Sequence, residues 1–157
     1  MSIKKMLMIV FGLVAVASTV FAAYTTYLYF KAYEVGQNLS VRMLLVEVES
    51  VDDYYVSVKT LLCIENKAGL PFWLSYIHEK LYLNGVVLGE SYNSLSIPLE
   101  VEPSKNITVS ITINNVYASK VTVNSPKMWV AILTLYVLGI PFIQSGAHFS
   151  RVSTFGE

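Results

Sequence analysis

Two histidines, one cysteine and a short acidic stretch are the residues of this 157-residue chain best suited to chemistry. His78 and His148 lie far apart in sequence, and neither stands at metal-ligand spacing from Cys63, so no metal site is expected. Glu49, Asp52 and Asp53 offer the hard oxygens that calcium takes, but their spacing is not that of a calcium loop, and an acidic turn is the plainer expectation. Serine, histidine and aspartate occur without a G-x-S-x-G elbow or comparable setting. The expectation is therefore no enzyme, no catalytic residue and no cofactor. Two N-x-S/T sequons, Asn38-Leu39-Ser40 and Asn106-Ile107-Thr108, are candidate glycan acceptors if the domain is exported. Phe72, Trp73, Tyr76 and Tyr82 gather in one stretch. Alternating aromatics usually fill a core or pack across strands. An exposed Trp73 beside Phe72 would instead make Phe72, Trp73 and Tyr76 a partner surface.

The elements that must position these residues begin with residues 6–30, an uncharged apolar run directly after Lys4-Lys5. At 1.5 Å per residue such a helix crosses a hydrocarbon core of roughly 30 Å with some tilt. Tyr24, Tyr27 and Tyr29 collect at its C-terminal end, where amphipathic rings prefer the membrane–water interface. The lysines on the short N-terminal side place that side in the cytoplasm. The expected organisation is a cytoplasmic segment 1–5, a transmembrane helix 6–30, a juxtamembrane linker 31–40 and an extracellular domain 41–157, in a single-pass cell-membrane protein. The rival is a cleaved secretory signal, with small residues Ala17, Ser18, Ala22 and Ala23 and cleavage after Ala22. The unbroken apolar stretch to Phe30 favours the retained anchor. A second uncharged run, residues 128–143, is too short for a span and is interrupted by Gly139 and Pro141, so it reads as a buried strand and a turn.

With the anchor set aside, the remainder suits one domain. Formal net charge is zero and no basic run occurs, which argues against nucleic-acid binding. The single cysteine, Cys63, excludes an intrachain disulfide, and its neighbours Leu61, Leu62 and Ile64 suggest a buried strand thiol. Ser, Thr, Asn and Tyr supply much of the polar share. That balance suits an acidic exterior, where carboxylates are protonated, and more plainly an ordinary β-rich domain.

Period-2 alternation dominates the domain. Val46 and Val48 share one face, with Glu47 and Glu49 on the other. After the Asp52-Asp53 turn, Tyr54, Val56, Val58, Thr60, Leu62 and Ile64 share one parity, and residues 66–71 break the strand. Asn84-Gly85 marks a type I′ hairpin, and Pro98 an edge or bulge. Ile107, Val109, Ile111 and Ile113 face inward. Residues 114–126 read as a loop with one helical turn over 116–120, residues 128–138 as the deepest strand and 148–155 as the closing one. Seven or eight short strands predict an all-β fold, an immunoglobulin/fibronectin-III-like two-sheet β-sandwich preceded by one N-terminal transmembrane α-helix.

Residues 46–155 resemble the type-two late embryogenesis abundant domain, also called the water stress and hypersensitive response domain. The resemblance rests on "CIENKAGLPFWL", "LYLNGVVLGES" and "IPLEVEPSKNITVSITI", and less tightly on "VLGIPFIQSGAHFSRVSTF". Lys67 follows Asn66 where the family commonly has proline, which here arrives at Pro71, and the segment before the last strands is shorter than the family's helix-bearing one. The resemblance implies a fibronectin-type sandwich with no known catalytic site, often joined to one N-terminal span and associated with stress tolerance and membrane or surface roles. It carries over no site residue.

The function expected is that of a non-enzymatic, membrane-anchored extracellular protein with a surface binding, protective or stress-associated role. Its partners would be the bilayer, through residues 6–30, and a protein partner or further copies at the cell surface. The alternative is a structural or accessory subunit of a surface filament or larger membrane complex, pilin-like or stator-like. Lys5 running straight into Met6 argues against a processed pilin but not against an uncleaved stator-like anchor, and Gly12, Ala15 and Ser18 would let a neighbouring helix approach.

Overall fold

Residues 3–122, 126–140 and 146–156 are described by the computed structural model, with nothing said of the side chains of residues 96 and 97. One long helix, α1 (Ile3–Gln37), leads into seven strands: β1 (Leu39–Ser50), β2 (Tyr55–Asn66), β3 (Phe72–Leu83), β4 (Val86–Val101), β5 (Asn106–Tyr117), β6 (Met128–Leu138) and β7 (Gly146–Gly156). A single helical turn, α2 (Ala118–Val121), follows β5. The strands form two antiparallel sheets, ordered β1-β2-β5 and β4-β3-β6-β7. The core lies between them. Val58, Leu62 and Ile64 from β2 meet Phe72, Leu74, Ile77, Leu81 and Leu83 from β3 and Trp129, Leu133 and Leu135 from β6, all essentially inaccessible to solvent. Each such side chain contributes about 1.5–3 kcal/mol on leaving water.

The sequence signals act through backbone geometry. Asn84 and Gly85 both take positive φ, 47° and 82°, as a type I′ turn requires. Pro98 lies on edge strand β4, within the four residues that bulge out between the Leu74–Leu99 and Tyr76–Ser94 pairs. The loop expected from residue 114 starts later. Asn115 adopts φ 58° at a bulge opposite Ser57, and β5 then resumes to Tyr117 before the helical turn at Ala118–Val121. Tyr54 shares the parity of Val56 but precedes β2 and is exposed, and Val48, near the end of β1, is 40% exposed. The apolar run from residue 128 is strand to Leu138, and its residues 141–143 lie outside the described ones.

Residues 31–40 are not a linker. The helix continues to Gln37 and β1 begins at Leu39, because Leu28, Ala32, Val35 and Gly36 form one buried helical face against the sandwich. Arg151 on β7 completes the helix end, its guanidinium donating to the carbonyl oxygens of Gly36, Gln37 and Leu39. A cation at a helix C-terminus satisfies orphan carbonyls and opposes the negative pole of the helix dipole. N-terminal to this face, α1 leaves Met6, Leu7, Phe11, Leu13 and Phe21 exposed. By length and composition it is able to cross a membrane.

Asn66 is buried, and each of its polar atoms is used. Its Nδ2 donates to the carbonyls of Leu70 (2.9 Å) and Val101 (3.0 Å), while Oδ1 accepts from the Ala68 amide (2.9 Å). Its own amide and carbonyl bond Lys105 and Ser104. Asn66→Ala would leave three backbone groups without these partners, and the expected loss is roughly 3 kcal/mol or more. Urea unfolding of the full chain in detergent measures this; a loss below about 1 kcal/mol would show that the network is not structural.

Candidate functional site

The outer face of the four-stranded sheet brings together chemistry that is scattered in the sequence. Cross-strand pairing sets Tyr76 beside Tyr136, and Tyr136 beside His148; one row on, His78 lies between Tyr92 and Thr134. The His78 ring stacks on Tyr92, parallel to within 2° with centroids 4.1 Å apart, and its Nε2 is 3.3 Å from Glu90 Oε2. His148 stacks on Tyr136 at 4.5 Å. Both histidines therefore sit on one face, each packed against a tyrosine, and each has its own neighbours. Among the described residues no group of three His, Cys, Asp or Glu side chains is placed to hold a metal ion.

Of the aromatics proposed as a partner surface, Phe72 is overturned. It is fully buried in the core, because the alternation of β3 points it inward with Leu74. Trp73 and Tyr76 are half-buried on the outer face. Both sequon asparagines are exposed: Asn38 closes the helix by donating to the Glu34 carbonyl at 2.9 Å, and Asn106 begins β5. In the acidic turn Asp52 Oδ1 accepts from the amides of Tyr54 (2.7 Å) and Tyr55 (2.8 Å), which commits that carboxylate to shaping the turn. At the far end of the sandwich from α1, an open depression of about 310 Å³ is lined by Val48, Val56, Ala118, Val121, Thr122 and Lys127.

Glu79 is the ionisable side chain that sequence reasoning passed over. It is fully buried, at the inward register of β3 between Ile77 and Leu81. Its parity with Ile77, Leu81 and Leu83 was the available signal. Glu79 Oε2 lies 2.7 Å from Thr60 Oγ1, and Oε1 has no partner among the described residues. Loss of solvent pushes its pKa up to about 7, against the opposing hydrogen bond from Thr60. The neutral acid suits the geometry better. Its O–H can donate to Thr60 Oγ1, which frees the single hydroxyl proton of Thr60 for the Ile111 carbonyl 3.4 Å away.

No protein-family model matches the chain, and no curated protein matches it in sequence. Among solved structures, the solution structure of AT1g01470 from Arabidopsis thaliana covers 74% of this chain and 79% of its own, with TM-score 0.57 and 12% identity. At2g46140.1, a candidate late embryogenesis abundant (LEA) protein, matches over 88% of this chain and 86% of its own, with TM-score 0.48 and 11% identity. A protein from Archaeoglobus fulgidus matches over 75% and 95%, with TM-score 0.41 and 18% identity. Of these three, AT1g01470 overlaps closely enough to establish the two-sheet fold, and at that identity it establishes the fold alone.

A carboxyl whose pKa is higher folded than unfolded binds its proton more tightly in the native state. Its stabilising contribution is complete below about pH 4.5 and is lost as pH rises through about 7. Over that window the full chain in detergent should lose stability on the order of 3 kcal/mol from this group. Urea midpoints at pH 4.5, 6 and 8 measure it, and Glu79→Gln should flatten that part of the profile. A Glu79→Gln profile as steep as that of the parent would place the pH dependence elsewhere.

Proposed function

We propose that this chain is a non-enzymatic, membrane-anchored β-sandwich protein of the type-two late embryogenesis abundant kind, with its domain outside the cell and a protective, stress-associated role at the surface. The observation that carries the anchoring is the exposed apolar length of α1, joined to the sandwich with no linker between. Lys4 and Lys5 at its start favour a cytoplasmic N-terminus. The strand order supports a fibronectin-III-like member of the immunoglobulin-like sandwiches. In the constant-domain arrangement the fourth strand pairs with the fifth, whereas here β4 pairs with β3. The fold likeness to AT1g01470 and the sequence motifs around Asn66 and Asn84-Gly85 support the family reading. The network that uses every polar atom of Asn66, and a core closed without a disulfide, suit a module whose task is to persist.

Two measurements test this. Protease added to intact cells making a C-terminally tagged chain should remove the tag, while the residual helix stays in the membrane after an alkaline wash. A protected tag, or a chain released by the wash, would refute the topology or the anchoring respectively. Phosphatidylcholine vesicles carrying the chain should leak less trapped dye after drying and rehydration than empty vesicles; equal leakage would remove the protective role.

A further inference from the structure

The helix does not dangle from the domain. Leu28, Ala32 and Val35 are 1%, 0% and 0% exposed and lie on one face, spaced so that successive turns meet the sandwich. A Cβ on Gly139, just past the end of β6, would stand 2.8 Å from the Leu28 carbonyl oxygen, so backbone touches backbone there. In the last turn of the helix, Gly36 lies under the ring of Phe149, and Arg151 then holds the carbonyls of Gly36, Gln37 and Leu39. The contacts climb α1 and β7 together, from Leu28 at the mouth of the sheet to Gly36 beside Phe149 and Arg151. The helix therefore runs along the strands and projects beyond the end of the sheet that bears Gly139.

The uncharged stretch below this weld, residues 6–27, is about 33 Å long at helical rise, close to the thickness of a hydrocarbon core. Leu28 then stands at the membrane surface, and so does the end of the sheet in contact with it. Trp73 is the cross-strand partner of Leu138, the residue before Gly139, and it is half-buried on the outer face. Tyr24, Tyr27 and Tyr29 are exposed on the helix at the same level. Glu100 pairs with Trp73 on β4, and Lys31 lies on α1 within one turn of Leu28 with Glu34 close by, so no basic field at this corner demands an anionic lipid.

Resting on the anchored reading above, we infer that the sandwich is seated directly on the bilayer, with Trp73 and the adjoining sheet corner in the headgroup layer of a neutral lipid surface and completing the ring of tyrosines on the helix. Trp73 is thereby a lipid contact, not a protein-docking residue. Interfacial tryptophan and tyrosine side chains favour this depth because one edge is apolar and the other wet.

The full chain carrying Trp129→Phe leaves Trp73 as its sole tryptophan. In phosphatidylcholine vesicles its emission should shift to the blue and be quenched strongly by bromine placed high on the acyl chain, and weakly by bromine near the chain end. Val14→Trp in a chain also carrying Trp73→Phe and Trp129→Phe should show the opposite depth preference. If the tryptophan at position 14 is quenched while Trp73 emits as in water, the seat is refuted and the anchor stands. If neither is quenched, the anchored reading fails and takes the seat with it. Gly139→Val, which must displace the Leu28 carbonyl, should lower quenching at Trp73 without changing it at position 14; unchanged quenching at Trp73 would refute the weld as its cause. Should Trp129→Phe fail to fold, Trp73→Cys bearing an environment-sensitive dye in a Cys63→Ser chain gives the same two-depth comparison.

Discussion

The fully used amide of Asn66 is the constraint on which the helix-proximal end of the molecule depends. Three segments meet at that residue: its side chain holds the β2–β3 connection through Leu70 and Ala68 and the end of β4 through Val101, and its own main chain holds the β4–β5 turn through Lys105 and Ser104. The next amide, that of Lys67, donates to Asn38, the residue between α1 and β1. One buried polar residue thus fixes where the helix ends relative to both sheets. A buried amide serves here because its two donors and one acceptor have fixed directions, and any misplacement of a loop leaves a desolvated group unpaired.

From that end the structure is built by edges that meet. β1 and β7 are edge strands of different sheets, and they are joined where the Met43 amide donates to the buried Ser153 hydroxyl at 2.7 Å, beside the bulge at Leu44. α1 covers the same side, with Gly36 on Phe149 and Arg151 over its last carbonyls. An edge strand exposes unpaired backbone groups that invite aggregation, and covering the edge with a helix removes the hazard. The junction that orients the domain therefore also protects one of its open edges.

Glu79 and the outer sheet face show how one strand serves two environments. β3 sends Phe72, Leu74, Ile77, Glu79, Leu81 and Leu83 inward, and Trp73, Tyr76, His78, Lys80 and Tyr82 outward. Thr60 relieves one oxygen of the buried carboxyl, but a single hydroxyl does not replace the water lost around a charge. The fold accordingly favours the protonated form of that carboxyl. The outer face carries Lys80, Glu90 and Glu100 among tyrosine, histidine, serine and threonine side chains.

The sequence alone determined the apolar stem, the β character, the Asn84-Gly85 hairpin and the inward parity of β5, since each is written within a few residues by hydropathy period or turn chemistry. It also carried the parity that buries Glu79, although a glutamate in an inward register is legible only once the register is known. Tertiary structure decided the rest. Phe72 and Trp73 are equally aromatic neighbours, and only the packing of a second sheet makes one core and the other surface. Residues 31–40 read as a linker until Arg151, more than a hundred positions later, adds its guanidinium to the last helical carbonyls beside the local bond from Asn38. Burial and capping are satisfied by whichever residues the fold brings near, and that nearness is set by strand order, which no local pattern encodes.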